Sequence, residues 1–309
     1  MGVGNGTVIS EFILSGFTKL EQRLQLFFCM VLLLMYLTTV MGNAAIIFLV
    51  CVDNRLQTPM YFFIGNLAFL EIWFTSSTST KLLVILSSGR RTISVGSCFA
   101  QSSFYFALGG AELALLVVMS FDRYIAICQP LRYAAIMKHQ LCIQLVAAVW
   151  VMGFTFSIYQ KCPWPVPACG HRTFFCEIPQ ILRLSCSEAY LREFGPIVVS
   201  AVLASGCFVF LVLSYVQIFR AVLRIPSQQG QHKAFSTCLP HLAVVSLFIS
   251  SGTFAYLKPP SMSSSSLNLL LAVLYSVVPP AVNPLIYSMR NQELKDAVWK
   301  VMTGVFQKQ

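Results

Sequence analysis

The fold of this chain is decided by the stretch MSFDRYIAICQPLRY, which occupies residues 119–133 and follows a long apolar run. That run extends from Phe99 to Met119, and about 20 apolar residues at ~1.5 Å each span a bilayer as a helix. Asp122 and Arg123 follow directly, so they should lie near one membrane face. Because an unpaired buried guanidinium is costly, we expect Asp122 to hold Arg123 until another partner replaces it. The stretch predicts a membrane helix that ends in a switchable ion pair.

Composition places the whole chain in a membrane. Its 309 residues are 57% hydrophobic and only 10% charged, with a mean hydropathy of +0.73, whereas charged residues make up about a quarter of a soluble protein. The formal net charge of +10 comes from basic residues scattered singly between apolar runs, not from the basic stripe that nucleic-acid binding needs. We therefore predict an integral membrane protein, surrounded by membrane lipid and without a nucleic-acid partner.

Seven apolar runs follow one another, each long enough for one membrane helix. They fall at about 24–52, 58–86, 97–121, 141–160, 194–219, 234–257 and 267–289. We predict an all-α membrane protein, a seven-transmembrane helix bundle over residues 24–289 with a short surface helix after span seven. Residues 1–23 form the predicted extracellular N-terminus. Residues 290–309 form the cytoplasmic tail, where apolar and charged residues alternate at the spacing of an amphipathic surface helix.

Cysteines and one glycosylation sequence orient the chain, because its lysines and arginines divide almost evenly between the two sides. Six of the eleven cysteines lie in or beside apolar runs: Cys29, Cys51, Cys128, Cys142, Cys207 and Cys238. Five flank or occupy polar loops: Cys98, Cys162, Cys169, Cys176 and Cys186. Five on one side suggest an oxidising compartment, with two disulfides and one thiol left over. Asn5 begins an acceptor sequence for N-glycosylation. We predict a multi-pass plasma-membrane protein with its N-terminus outside and its C-terminus in the cytoplasm.

Two carboxylic acids stand inside predicted spans, Glu71 in the second and Glu112 in the third. Intramembrane carboxylates are costly and default to a functional hypothesis. The two could share a proton, or hold a cation with oxygen ligands, or simply form hydrogen bonds. They also raise transport or conduction as an alternative function, but the sequence lacks the inverted repeats and polar pore stripe that this class needs.

One face of the third span could connect an outer site to the inner ion pair. Its residues recur at steps of four and three, the period of a helix face: Tyr105, Gly109, Glu112, Leu116, Met119 and Arg123. A stripe that merely faces the rest of the bundle would have the same spacing. Spacing alone therefore does not choose between a functional connection and ordinary packing.

Four segments resemble, in the right order, those of one known family. Residues 122–124 are Asp-Arg-Tyr and continue to Pro-Leu-Arg-Tyr at residues 130–133. The others are PMYFF at 59–63, KAFSTC at 233–238 and NPLIYSMRN at 283–291. Together they are similar to the second, third, sixth and seventh helices of rhodopsin-like G-protein-coupled receptors, specifically the odorant (olfactory) receptors of the tetrapod-type branch.

The resemblance covers about Phe12 to Lys300 and implies a function. It implies an odorant receptor that binds a small, largely apolar volatile within the outer half of the helix bundle. It implies activation of a heterotrimeric stimulatory olfactory G protein, which raises cyclic AMP. The ligand-binding positions carried over are Tyr105, Phe106, Gly109, Val199, Ser200, Leu203, Gly252, Thr253 and Tyr256. None is charged, and three hydroxyls are available to orient a polar group.

The resemblance also assigns the coupling and structural residues. The switch positions are Asp122, Arg123, Tyr124, Tyr215, His241, Asn283, Pro284 and Tyr287. The implied disulfides are Cys98–Cys176 and Cys169–Cys186, which would pin a loop over the mouth of the bundle. The family places acids at the positions of Glu71 and Glu112, which makes them candidate ligands of a sodium ion, the one cofactor considered. The chain has no His-Glu-x-x-His helix or Gly-x-Ser-x-Gly turn, so we predict no enzyme activity.

Overall fold

The protein is a bundle of long helices, seen here in a computed structural model that describes residues 11–14, 22–88, 92–161, 172–173, 190–257, 277–287 and 296. The helices are α1 Gln22–Val52, α2 Pro59–Ser88, α3 Val95–Cys128, α4 Pro130–Ile136, α5 His139–Lys161, α6 Tyr190–Leu223 and α7 Gln228–Leu257. Residues 277–287 are also helical and are called α8. A 3-10 turn over Asn54–Leu56 separates α1 from α2.

The long helices lie on the predicted apolar runs. The helices α1, α2, α3, α5, α6 and α7 cover the first six runs, and α8 lies within the seventh. Within the described part of the chain, five of them (α1, α3, α5, α6 and α7) are long and apolar enough to cross a membrane. The predicted all-α membrane fold is confirmed. Of the predicted surface helix, only Asp296 is described, and it is helical and exposed.

Helix α3 is the central element of the bundle. It contacts α2, α4, α5, α6 and α7. In the most apolar stretch of α3, 50% of the residues are buried inside the bundle. In the corresponding stretch of α1 only 11% are buried, so most side chains of α1 face outward. Leu115, Leu116 and Met119 on α3 are completely buried. Because α3 carries three of the predicted outer ligand positions as well as the inner ion pair, it connects the two sites through one rigid element.

The crossing of α3 and α5 depends on Gly153. A Cβ atom at this position would lie 2.4 Å from the carbonyl oxygen of Ala107 and 3.0 Å from the Cβ of Ala111. No side chain fits at 2.4 Å from a backbone atom, so only glycine allows the two helices this approach. A looser contact of the same kind joins α1 to α8, where a Cβ at Gly42 would lie 3.2 Å from the Cβ of Pro284.

A small sheet at one end of the bundle was not predicted from the sequence. Its strands are β1 Glu11–Leu14, β2 Thr92–Ser94 and β3 Arg172–Thr173, in the order β2-β1-β3. Strand β1 pairs antiparallel with β2 and parallel with β3. The sheet places the N-terminal segment, the α2–α3 connection and the cysteine-rich α5–α6 connection at the same end of the bundle.

Helix α4 is a second element that the sequence analysis did not predict. It begins at Pro130, whose missing N–H and fixed φ suit the first position of a helix. Gln129 separates it from α3 and donates its backbone N–H to the carbonyl of Ile125 at 3.0 Å. The short helix lies against α3 at the end of the bundle opposite the sheet. It carries the second half of the stretch that decided the fold.

Candidate functional site

The predicted ion pair exists and is buried at the inner end of α3. Arg123 donates from Nε and Nη2 to Oδ2 of Asp122, at 3.0 Å and 2.6 Å. Asp122 is completely buried and Arg123 is 9% exposed. A buried pair of opposite charges is stabilising only while both partners stay together, because removing one leaves the other unpaired in a medium of low dielectric constant. The arrangement is suited to hold one state until a new partner competes for Arg123.

Tyr133 completes the ion pair, a role the sequence analysis missed. Its hydroxyl donates to Oδ1 of Asp122 at 2.8 Å, so both oxygens of the carboxylate are engaged. Burial and then the neighbouring Asp122 carboxylate raise the pKa of Tyr133, so the hydroxyl remains a proton donor at physiological pH. The sequence did place Tyr133 in the same stretch as Asp122. Its hydrogen bond with Asp122, however, depends on α4 turning back toward α3, which the sequence does not show.

A second buried contact joins α6 to α7. The hydroxyl of Tyr215 forms a hydrogen bond with Nδ1 of His241, and the two rings stack with centroids 5.9 Å apart. Both residues are buried, and Nε2 of His241 has no hydrogen-bond partner within the described part of the chain. Tyr124 on α3 packs against the same apolar cluster as Tyr215 and Cys238. Three predicted switch residues therefore meet where three helices converge.

Two further predicted switch residues, Asn283 and Tyr287, belong to a buried polar cluster in the middle of the bundle, and Pro284 packs beside Gly42 as described above. Asn283 on α8 donates from Nδ2 to Oε1 of Glu71 on α2. Glu71 and Glu112 lie close enough to interact electrostatically. Asn43 on α1 donates to the carbonyl of Pro280 at 3.3 Å. The cluster thus connects α1, α2, α3 and α8 through polar side chains.

Several oxygen atoms in this polar cluster have no hydrogen-bond partner. Among the described residues they include Oε1 of Glu112, Oδ1 of Asn283 and the hydroxyl of Tyr287, which lies close enough to both carboxylic acids to interact electrostatically. Within that part of the chain, no three His, Cys, Asp or Glu side chains group closely enough to hold a metal ion. A cation here would need amide and hydroxyl oxygens besides the two carboxylates, which suits a hard monovalent ion rather than zinc.

The α3 members of the predicted ligand set lie together in an aromatic group. The rings of Tyr105 and Phe106 stand nearly perpendicular with centroids 5.4 Å apart. Phe74 on α2 lies 5.3 Å from the Tyr105 ring. It is also the nearest neighbour of a Cβ added at Gly109, at 4.0 Å. These residues give the outer half of α3 a mainly apolar, aromatic surface with one hydroxyl group, that of Tyr105.

The other predicted ligand residues lie on α6 and α7. Val199 and Leu203 are exposed, at 38% and 52%, and Thr253 is exposed as well. Ser200 is partly buried. For Gly252 and Tyr256 the structure describes the helical backbone of α7 but not the surroundings of the side chains. Their joint role in one pocket remains a prediction.

The described cysteines divide as the sequence indicated. Within the described part of the chain, the six cysteines assigned to apolar runs are free: Cys29, Cys51, Cys128, Cys142, Cys207 and Cys238. Cys98, near the start of α3, is disulfide-bonded. Its predicted partner Cys176, the predicted Cys169–Cys186 bond and the Asn5 acceptor site lie outside the described residues, so these pairings stay predictions.

Leu131 is a further candidate that the sequence analysis did not single out. It is the second residue of α4, and 99% of its surface is exposed at the inner end of the bundle. The sequence feature that could have identified it is an apolar residue directly after Pro130, a proline suited to begin a helix. Such a side chain offers an apolar anchor to a partner at the inner face.

Comparisons with known proteins agree with this geometry. A family model described as olfactory receptor matches residues 28–305. The human protein "Olfactory receptor 14J1" is 42% identical over 303 residues, which cover 97% of this chain and 94% of that protein. Mouse "Olfactory receptor 2B6" is 39% identical over 310 residues and 99% of each chain.

A solved structure shows the same fold. The crystal structure of squid rhodopsin superposes with a TM-score of 0.69 over 97% of this chain and 92% of that chain, at 17% sequence identity. The match supports the rhodopsin-like bundle in which the ion pair, the Tyr215–His241 contact and the polar cluster have been located. The chain therefore belongs to the olfactory receptor family, multi-pass membrane receptors of the G-protein-coupled class and not enzymes.

Proposed function

We propose that this chain is an odorant receptor that binds a small, largely apolar volatile in the outer half of the bundle and activates a stimulatory olfactory G protein, which raises cyclic AMP. The observation that carries the proposal is the buried ion pair of Asp122 and Arg123, capped by Tyr133. A buried pair that closes the inner end of a central helix is a two-state element, which a ligand at the other end can bias.

The outer half of α3 supports an apolar ligand. Tyr105, Phe106 and Gly109 present aromatic and small surfaces without charge. A ligand in contact with them lies about 21–27 Å from Arg123 along the same helix at ~1.5 Å per residue. It can shift the equilibrium only by as much as it prefers the active state, and a few kcal/mol is sufficient.

The inner face supports a protein partner. When Arg123 leaves Asp122, the guanidinium becomes available to a segment of the G protein. Leu131, fully exposed on α4, provides an apolar contact beside that opening. The membrane orientation follows from the same assignment. The sheet, the Cys98–Cys176 and Cys169–Cys186 bonds and the glycosylated Asn5 lie outside, and α4 faces the cytoplasm from the plasma membrane.

The experiment is a cyclic AMP assay. The chain, with an N-terminal tag, is expressed in cells that contain the olfactory G protein, and a chemically broad panel of volatiles is applied. We expect a ligand-dependent rise. Arg123→Ala should abolish it when the two receptors are compared at equal surface level, because the residue released by switching is gone.

Arg23→Ala provides the matched control, because Arg23 is an exposed arginine at the opposite end of the bundle, in the first turn of α1. It should respond like the unmodified chain. Full signalling by Arg123→Ala would contradict the proposed switch. Ion flux without G protein would instead favour the transport alternative.

We further propose that Glu71 and Glu112 hold a sodium ion, with simple hydrogen bonding as the alternative. The unpartnered oxygens of Glu112 and Asn283 support this reading, because one cation would satisfy them together. The test compares the melting temperature of the purified receptor in sodium chloride and in N-methylglucamine chloride. We expect sodium to raise the melting temperature of the unmodified chain but not of Glu112→Gln. Equal melting temperatures in both salts would leave hydrogen bonding alone.

A further inference from the structure

Helix α7 contains a proline in its interior. Pro240 is buried and lies within the helix Gln228–Leu257. Proline has no backbone N–H, so the carbonyl of Ser236, four residues earlier, receives no helical hydrogen bond from this position. The ring also crowds the preceding turn, and prolines are a frequent cause of sharp bends in helices. The backbone of α7 is therefore weakest at Pro240.

The turn before Pro240 is weakened a second time by its own hydroxyl groups. Oγ1 of Thr237 and Oγ of Ser236 both donate to the carbonyl of Lys233, at 2.9 Å and 2.8 Å. Serine and threonine hydroxyls that bond to a carbonyl of their own helix compete with the backbone N–H groups and often bend the helix. Two features thus weaken the same turn of α7.

The packing of α7 changes within one turn of Pro240. On the outer side, Val244 is completely buried in the main apolar core. On the inner side, Cys238 belongs to a smaller cluster centred on α6, which Leu242 also contacts. Of the residues 228–239, all of which the structure describes, Cys238 alone is buried. The inner segment of α7 is therefore held more loosely than the rest of the helix.

The two sides of Pro240 also contact α6 differently. His241, the next residue, is completely buried and is hydrogen-bonded to Tyr215, with the two rings stacked. On the inner side the contact is apolar, between the partly buried rings of Phe235 and Phe219, whose centroids lie 5.7 Å apart. Apolar contacts are not directional, so these rings can slide past one another. The buried hydrogen bond of His241 fixes the chain directly after Pro240.

The inner segment covers the ion pair of the proposed switch. Cys238 lies close enough to the guanidinium of Arg123 to interact electrostatically. At ~1.5 Å per residue the segment 228–239 is about 18 Å long, so a bend of about 20° at Pro240 moves its far end by about 6 Å. A small bend thus opens a gap as wide as a side chain beside Arg123.

We propose that Pro240 is the hinge of the switch, and that residues 228–239 swing about it as one short lever while His241 stays bound to Tyr215. Pro240 is then a positioning residue, which acts on Arg123 through the segment that covers it. The rest of α7 keeps its place in the main core. The inference rests on the proposed function, because the lever uncovers the arginine that the G protein would contact.

Hydrogen exchange in the full-length receptor tests the hinge without odorant or G protein. The purified chain is placed in phosphatidylcholine nanodiscs, and exchange is followed by mass spectrometry in peptides 232–237, 238–244 and 245–251. We expect faster exchange in 238–244 than in either neighbour. Pro240→Ala should slow it about tenfold, because alanine restores the missing backbone donor. Exchange that instead rises steadily toward the start of α7 would show fraying of the helix end and would overturn the proposal.

Pro226→Ala is the matched control, because Pro226 is exposed in the connection before α7 and its replacement restores no helical hydrogen bond. It should leave the exchange of 238–244 unchanged. If Pro240→Ala does not yield folded receptor, Thr237→Val replaces it, since this change removes a competing hydroxyl and keeps the shape of the side chain. Equal exchange in the hinge variant and in Pro226→Ala would contradict the hinge.

Distance measurements locate the movement. Nitroxide labels are attached through unnatural ketone side chains at Gln229 before the hinge or at Ala243 after it, each paired with a label at Lys138; all three positions are exposed. Electron paramagnetic resonance then compares the receptor alone with its complex with the purified, nucleotide-free olfactory G protein. We expect the distance from Gln229 to lengthen by about 6 Å, less in Pro240→Ala, and the distance from Ala243 to stay the same.

The outcomes separate the hinge from the receptor function. Equal lengthening at Gln229 and Ala243 would mean that the whole of α7 moves, and no lengthening in a formed complex would mean that the lever does not move; either result would overturn the proposal. If no complex with the G protein forms, the proposed function is contradicted, and hydrogen exchange still decides whether Pro240 is a hinge.

Discussion

The carboxylate of Asp122 divides its two oxygens between two partners on different helices. Oδ2 accepts from Arg123 of α3, and Oδ1 accepts from Tyr133 of α4. Asp122 is completely buried, so neither oxygen can exchange its partner for water without rearrangement. Tyr133 therefore strengthens the resting pair by keeping the carboxylate fixed in front of the guanidinium.

Replacing Tyr133 by phenylalanine tests this division. The substitution keeps the ring and removes one hydrogen bond to a charged acceptor, worth about 1.5–3 kcal/mol, so the ratio of active to resting receptor should rise roughly tenfold or more. We expect higher cyclic AMP without ligand, measured at equal surface level. Tyr159→Phe, at a half-exposed tyrosine on α5, should leave this basal signal unchanged. A basal signal that Tyr133→Phe does not alter would show that the bond is dispensable.

For single residues, the sequence identified the side chains at the site more reliably than it identified their hydrogen-bond partners. Asp122 and Arg123 are neighbours in the chain, so their pairing followed from local chemistry. The bond from Tyr133 depends on how α4 turns back after Gln129, and no periodic pattern encodes that turn. Similarly, the acid Glu71 was identified, but its partner Asn283 lies more than two hundred residues later.

Among the helix contacts, the crossing of α3 and α5 restricts one position most strongly, because it leaves no room for a side chain at Gly153. Gly153→Ala would place a methyl group 2.4 Å from the carbonyl oxygen of Ala107, so one helix must shift. Overpacking of this kind costs about 1–3 kcal/mol. We expect a lower melting temperature of the purified receptor and lower surface delivery, since α3 carries both functional ends.

Gly206→Ala on α6 is the matched control, because a Cβ added there meets nothing within 4 Å. Alanine is the better helix former by about 1 kcal/mol, so this variant should melt at the same or a slightly higher temperature. Equal destabilisation by both substitutions would mean that loss of glycine, and not the close helix approach, causes the effect.

Long elements were predictable and short ones were not. A run of more than twenty apolar residues specifies a membrane helix by itself, and α1, predicted at 24–52, extends over Gln22–Val52. The strand β3 has two residues and β2 has three, too few for any alternation to be recognised. The seven-residue α4 was missed for the same reason. Such elements form because tertiary partners are present, which the local sequence does not show.

Across the whole molecule, the sheet fastens the chain terminus to the connections at one end of the bundle. Strand β1 is the central strand and pairs with β2 on one side and β3 on the other. Cys98, only a few residues after β2, adds a covalent bond at the same end. The sheet and the disulfide together restrict the connections that border the proposed odorant site.

A substitution at Ile13 tests the role of this strand pairing, because Ile13 pairs with Thr92 of β2 and with Arg172 of β3. Proline at a central strand position removes a backbone donor and does not fit the ladder. Ile13→Pro should therefore lower surface delivery of the tagged receptor and its melting temperature. Ile13→Ala keeps the backbone donor and loses only the side chain, so it should be much milder. If both variants behave alike, the side chain and not the strand pairing is what the terminus contributes. If only proline is damaging, the pairing of strand β1 is part of the folded receptor, and the outer connections depend on this strand for their position.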